Sequence, residues 1–475
     1  MTGILLMTDV KGLRRRRKSE RRRGTWGLVV AQWRDLLPFI AVGFTMIVFT
    51  LVGGAPLSVL GVLALATSTA TLLAAFAFSP NAARLAALPW QSRAALSAII
   101  ILPLVQLIPL PPALWQVLPG QDIRHTVLAT IGRGDSWQPI SLTPMFTMEA
   151  AVACLAFVVL VLVMLTLDER QLRHIGWLIL AIVAIDVAVG TLQVASGGYP
   201  VLRDSRNQGA MLGFFANKNH MGLFVAASMP LAWLLLDVRR RRGPRFYLFM
   251  GWCILSLVAL VATNSRSGLL VGLVAAGALS LRILFKQSLR LRITFLIGVV
   301  TAIVMVSLTN PFGALFGRFS EVDSDLRWQF WQQSIPLFIS YWQFGAGAGS
   351  FSQIFLVNEQ LSWLKPTYVN AVHNDYLQLV IEFGLPGVTA ALLMILSIFQ
   401  SARFKVKNAD KGLIESGVRV GVIIVILFAL QSVVDYPLRR VATLPMFAMA
   451  IALILRAALH RRPDPMAFGS VRTKT

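Results

Sequence analysis

Four side chains stand at the margins of apolar segments where a lipid-facing sequence has no need of them: His373 in AVHNDY, Arg266 in TNSRSG, Arg206 in DSRNQG and Arg327 in SDLRWQFW. Arg266 occupies a very short turn between two apolar runs, among Asn264, Ser265, Ser267 and Gly268. Such a turn uses Asn, Ser and Gly for its backbone but has no conformational use for an arginine. A guanidinium fixed beside small hydroxyl residues is suited to hold phosphate oxygens in a bidentate fork. The plainer use is snorkelling toward lipid headgroups. Arg206 and Arg327 are less specific one by one. Three arginines on one face, however, would neutralise a pyrophosphate leaving group, the developing charge that a catalyst of sugar transfer must stabilise. A nearly dry site at a membrane surface strengthens such contacts.

His373 is one of only five histidines, and an imidazole suits general-base work. If the segment after it is helical, Asn374 reaches Gln378, and Asp375, Gln378 and Glu382 share a face. That polar stripe enters the end of an apolar run, where unpaired carboxylates are expensive. Asn374 and Asp375 also fit a cap at the helix start. His220 in NKNH and His125 carry weaker signals, and a satisfied structural histidine accounts for either. Metal chemistry finds little support, since no His-x-x-x-His, acidic pair or cysteine set at ligand spacing falls on this side. The expectation is therefore no cofactor and no metal. The acidic triplet DSD (323–325) looks like one that holds a metal and a sugar nucleotide in many glycosyltransferases. Its position favours a helix start instead.

The elements that must position these residues are apolar. The chain has 475 residues, 56% hydrophobic and 14% charged, with a mean hydropathy of +0.70, against roughly 25% charged in soluble proteins. Runs of about 20 apolar residues recur, each long enough to cross a hydrocarbon core. Twelve spans are expected near 36–54, 57–78, 95–110, 146–166, 175–195, 219–237, 246–263, 268–285, 293–310, 379–400, 418–434 and 441–458, giving an all-α polytopic membrane protein. With the basic tail KGLRRRRKSERRR (11–23) inside, 33 of the 44 Lys and Arg fall on the cytoplasmic side and 11 outside, whereas the 21 acidic residues divide 10 and 11. The whole excess of +23 thus lies inside, following the positive-inside rule, with anionic lipid heads as natural contacts and no call for nucleic acid. The first apolar run is too long and too late for a secretory signal. Cys154 and Cys253 fall within spans, where neither a disulfide nor a thiolate metal site is expected.

The cytoplasmic connections RRRRGPR (239–245) and KQSLRLR (286–292) look like plain solvated anchors. The outer ones differ. Residues 111–145 form a Pro- and Gly-rich loop, and 197–218 end in GFFANKNH. A large periplasmic loop at 311–378, between spans 9 and 10, carries Trp328, Trp331, Trp342 and Trp363. Loops of this length in a compact protein are functional or disordered, and the aromatic content argues against disorder. Residues 320–342 have helical apolar spacing suited to the outer interface.

These stretches resemble a family, the O-antigen ligase and Wzy-type O-antigen polymerase superfamily of bacterial envelope glycosyltransferases. HNDYLQLVIEFGLPG is similar to its histidine-asparagine motif, through His373, Asn374, Leu377, Glu382, Gly384 and Gly387. TNSRSG resembles its serine-arginine-glycine turn, and GFFANKNHMG its Gly-x-Phe-x-Asn-x-Asn stretch, with Lys218 where proline is commoner. GAGAGSF (345–351), Arg327–Trp328 and VVDYPLRR (433–440) fit as well. The resemblance runs from about 200 to 450, and the first 150 residues match only in hydropathy. It implies a glycan donor on undecaprenyl pyrophosphate, used on the periplasmic side without metal or sugar nucleotide. The acceptor would be lipid A–core in a ligase, or a second lipid-linked glycan in a polymerase. It also implies that His373 activates or positions the acceptor. Arg266, Arg206 and Arg327 would hold the pyrophosphate, with Asn374, Asn217 and Asn219 beside the substrate. The expected organisation is a basic cytoplasmic tail (1–35), an N-terminal transmembrane bundle (36–199), a ligase-like module (200–458) and a cytoplasmic tail (459–475). Its place is the bacterial inner membrane, with both termini cytoplasmic.

A transporter or flippase of lipid-linked glycans is the rival from another class. It should show inverted repeats and ionisable groups near the midplane, where Asp186 alone stands clearly. A non-catalytic scaffold for envelope assembly, the third possibility, would make the outer arginines dispensable.

Overall fold

The computed structural model describes residues 33–52, 59–196, 209–237, 243–283, 326–360, 369–403 and 411–459, together with positions 290, 293 and 297. Among these, eight helices are long and apolar enough to cross a membrane. They are α1 (Trp33–Val52), α2 (Val59–Phe78), α6 (Pro144–Thr166), α7 (Glu169–Ala195), α9 (Pro244–Ala262), α13 (Asp375–Arg403), the Ile414–Ser432 part of α14 (Lys411–Ser432), and Val441–Leu459, whose α-helical part is α15 (Leu444–Leu459). Three further apolar helices, α3 (Trp90–Gln106), α8 (Lys218–Leu235) and α10 (Arg266–Ile283), match the expected third, sixth and eighth spans. The ninth, 293–310, lies outside the described residues apart from positions 293 and 297.

Which helices face lipid follows from their composition. Helix α8 is apolar on all sides past its first turn, and every residue from Asn219 to Ala232 is buried, as a helix without a polar face must be. Helix α15 is likewise buried almost throughout and packs on α14 and α6. By contrast α13 exposes Leu392, Ile395, Leu396 and Phe399 while burying Ala390, Ser397 and Ser401. Its inner seam hydrogen-bonds to α3 through Ser92 and Ser397 (2.6 Å). Helices α8 and α10 approach backbone to backbone. A Cβ added to Gly222 would lie 2.8 Å from the Cα of Gly268, so only glycine fits there.

The loop 111–145 is more ordered than its proline content predicts. Strands β1 (Pro109–Leu110) and β2 (Gln138–Pro139) pair antiparallel. Between them lie a short helix α4 (Pro112–Trp115) and α5 (Asp122–Thr130). In the large loop, α11 (Leu326–Tyr341) falls within the expected helical stretch and is followed by α12 (Phe351–Asn358). The DSD triplet at 323–325 lies outside the described residues.

The GAGAGSF run is fastened to a break in α13. Gly384 departs from helical geometry (φ 60°, ψ −155°), two residues before Pro386. The backbones of Gly384 and Gly345 come so close that a Cβ on either would collide with the other segment. Ala346 N donates to Ile381 O and Gly347 N to Glu382 O. Gln106 at the end of α3 locks the same place, donating to Glu382 O and accepting from Ala348 N.

Candidate functional site

The sequence-selected motifs converge at one end of the bundle, around a carboxylate that the sequence does not single out. Asp435 lies in the turn between α14 and α15, and its side chain is fully buried. Asn219 Nδ2 donates to Oδ2 at 2.6 Å, Asn217 Nδ2 approaches the same carboxylate at 3.3 Å, and Tyr436 N donates to Oδ1 at 3.0 Å. Two imidazoles face Oδ1: His373 Nδ1 at 3.3 Å and His220 Nε2 at 3.5 Å. Both are at ion-pair distance without being aligned as hydrogen bonds. Burial by itself pushes the Asp435 carboxyl up, but His220 and His373 outweigh it and hold the group well below the usual carboxylate range.

Tyr436 forms the wall between the histidines. Its ring meets His220 edge-on at 5.1 Å and His373 at 4.8 Å. Its hydroxyl accepts from Arg440 at 3.2 Å. His220 is inaccessible, whereas the His373 side chain keeps 23% of its surface. His373 also has a left-handed backbone (φ 58°), which is uncommon for a residue with a Cβ and is held by its surroundings. Those surroundings include α11: Phe330 stacks on His373 at 6.1 Å, and Trp331 Nε1 donates to Val372 O at 3.1 Å. Arg327 is half-buried one turn before these two aromatics, on the same side of α11.

Arg266 opens α10 and is half-buried. The serines on either side of it turn inward. Ser265 Oγ donates to Asn219 Oδ1 at 2.6 Å, and Ser267 Oγ accepts from Gln431 Nε2 at 3.0 Å. The arginine turn is thus tied through Asn219 to Asp435, and through Asp435 to His373. An arginine at a helix start opposes the positive end of the macrodipole. The same pairing makes that end a place for an anion.

The asparagines are used differently from one another. Asn217 caps α8, accepting from Asn219 N at 2.8 Å, and with Asn219 turns its amide to Asp435. Asn374 caps α13, accepting from Leu377 N at 3.0 Å. Asn374 reaches Gln378 through the backbone, Gln378 N donating to Asn374 O at 3.1 Å, while the Gln378 side chain turns away: Nε2 donates to Glu382 at 2.9 Å and Oε1 accepts from Val372 N. Asp375, Gln378 and Glu382 do share the buried face. Their cation is Arg439, within the VVDYPLRR stretch. Its guanidinium joins Asp375 Oδ1 (3.2 Å) to Glu382 Oε2. Ser432 Oγ and Leu438 N complete the shell of Asp375. Asp186 accepts from Phe214 N at 2.9 Å and so anchors the GFFANKNH stretch.

Arg206 lies outside the described residues. Among the described residues no group of three or more His, Cys, Asp or Glu side chains is arranged to hold a metal ion. No curated protein matches the chain. The family model described as O-antigen ligase matches residues 251–392, from within α9 through the arginine turn, α11 and the His373 segment to the middle of α13. His220 and Asp435 fall outside that match. On these grounds the 251–392 segment of this multi-pass membrane protein is similar to the O-antigen ligase family.

Proposed function

We propose that the chain is a glycosyltransferase of the bacterial inner membrane that moves a glycan from undecaprenyl pyrophosphate to an acceptor sugar hydroxyl on the periplasmic side. The family match supports glycan transfer in a membrane setting. The observation that carries the chemistry is the partly exposed His373, backed by the buried carboxylate of Asp435 at 3.3 Å. With Nδ1 turned to Asp435, the second ring nitrogen of His373 is the one that takes a proton. The acceptor hydroxyl gives its proton to that nitrogen while its oxygen bonds to the anomeric carbon of the donor. The bond from that carbon to the pyrophosphate oxygen breaks, and the electron pair leaves with the lipid pyrophosphate. Asp435, kept ionised, stabilises the imidazolium that forms. Arg266 at the head of α10, with Arg327 and Arg206, receives the negative charge on the leaving group.

Membrane placement is argued from charge: α9 runs from Pro244, next to the basic sequence 239–245, to Ala262, next to the Arg266 turn, and the positive-inside rule assigns the basic end to the cytoplasm. The domain limits given above stand with this proposal, residues 200–458 forming the transferase module. Ligase and polymerase activity differ only in the acceptor, lipid A–core or a second lipid-linked glycan. The lipid-linked glycan profile of a deletion strain separates them: accumulated long chains identify a ligase and accumulated single repeat units a polymerase. An unchanged profile contradicts both.

A further inference from the structure

Helix α5 divides its surface into three sectors, and only two have an assigned neighbour. At 100° per residue, Arg124 and Leu128 point to one side and are the half-buried members. Arg124 turns in to bind Pro139 O (2.7 Å) and Ser141 O, and Gln121 just before the helix donates to Ile140 O. Burial lowers the Arg124 guanidinium to about 10. A second sector holds Asp122, Thr126 and Thr130, exposed and polar. Between these sectors runs a stripe of Ile123, Val127 and Ile131, each more than half exposed at 53%, 55% and 59%. An element that turns its arginine inward and three branched aliphatics outward is inside-out for water.

Its tether explains the arrangement. The carbonyls that Arg124 holds belong to residues 139 and 141, and the span α6 begins at Pro144. Three residues reach at most about 11 Å, so the packed side of α5 sits close above the membrane entry of α6. On the other side of the ribbon, the last turns of α3 and the residue before β1 expose Ile101, Leu104, Val105 and Ile108, continuing an apolar surface from the bundle toward the loop.

We propose that α5 is an interfacial foot, lying along the lipid surface on the site side of the membrane with Ile123, Val127 and Ile131 in the headgroup–acyl boundary. Its packed side faces the ribbon and its polar side the aqueous phase. The foot is coupled to the site. Ser141 N donates to Gln106 O, Leu142 N to Ala346 O, and Tyr341 Oη to Gly120 O, so the ribbon and the GAGAGSF run are held together. The foot therefore fixes the depth at which the loop beside His373 meets lipid-borne substrates. The lipid contact stands independently of the proposed chemistry.

The test is spin-label accessibility in the full chain. Single cysteines replace Ile123, Val127 or Ile131, and separately Asp122, Thr126 or Thr130, in a Cys154→Ala, Cys253→Ala background. The protein sits as one copy per nanodisc of phosphatidylethanolamine and phosphatidylglycerol. Collision with molecular oxygen should exceed collision with the water-soluble nickel chelate NiEDDA at the three stripe positions, and the ratio should reverse at the three polar ones. NiEDDA dominance at both sets would show a water-facing stripe and overturn the proposal. Low access to both probes at the stripe would show a protein cover, and would overturn it equally. All six positions are exposed, so labelling leaves the packing intact, and any variant that does not elute as a monodisperse species is replaced by its neighbour on the same sector.

Discussion

One turn, residues 433–440, supplies both buried charge clusters of the site, and they are built on opposite principles. At Arg439 a permanent cation is clamped between two carboxylates, Asp375 and Glu382. Burial lowers the hold of that guanidinium on its proton, but the two carboxylates overcome this and raise it above its ordinary value. At Asp435 a carboxylate is instead shared by two imidazoles and two amides. The cation of the first cluster keeps its charge at any working pH. The second sets two imidazoles, side chains of the general acid–base type, against one carboxylate. In the proposed transfer the clamp holds the start of α13 in place while the imidazole cluster takes the acceptor's proton.

The comparison breaks first at the clamp. Arg439→Leu leaves Asp375 and Glu382 buried without a cation, which should cost about 3–5 kcal/mol. Thermal unfolding in detergent should show that loss, and a stable Arg439→Leu protein would remove the distinction between the clusters. Arg266→Gln should lower glycan transfer about 10²–10³-fold, the effect of losing one donor to a developing anion, with unfolding little changed. Arg266→Lys should restore part of it, since a point charge replaces the fork.

Acid separates the clusters further. Because the folded Asp435 lies below its unfolded value of ~3.9, its ionised form stabilises the fold at all higher pH. That contribution fades only as pH falls further, toward the folded value. Asp435→Asn has no such contribution, so its melting temperature should fall less than that of wild type between pH 5 and pH 3. An equal fall would place the acid sensitivity elsewhere. The smallest effect belongs to the cap: Asn374→Ala should cost about 1 kcal/mol of stability, with transfer reduced only as far as the start of α13 frays, as amide exchange would report.

Much of the bundle was legible because a run of about 20 apolar residues has few uses other than crossing a bilayer. His373 and Arg266 were legible because their polarity had no local purpose. Asp435 and Arg439 were not, since VVDYPLRR looks like an ordinary short polar turn and their partners lie 215 and 57 residues away. The one available signal was an aspartate wedged between two spans among apolar neighbours. The β1–β2 ribbon escaped notice because two-residue strands opening or closing on proline carry no alternation to detect. The cap by Asn374 was legible, but the turn of the Gln378 side chain to Glu382 was not, since helical spacing shows which residues can meet and not which partner wins.

The most direct test of the account is transfer by the purified protein in proteoliposomes holding an undecaprenyl-pyrophosphate-linked glycan and its acceptor, comparing wild type with His373→Ala. Wild type should join glycan to acceptor and release undecaprenyl pyrophosphate. His373→Ala should fall by about 10²–10⁴-fold, the range for a lost general base, while melting as wild type does. Undiminished transfer by a folded His373→Ala protein would contradict it.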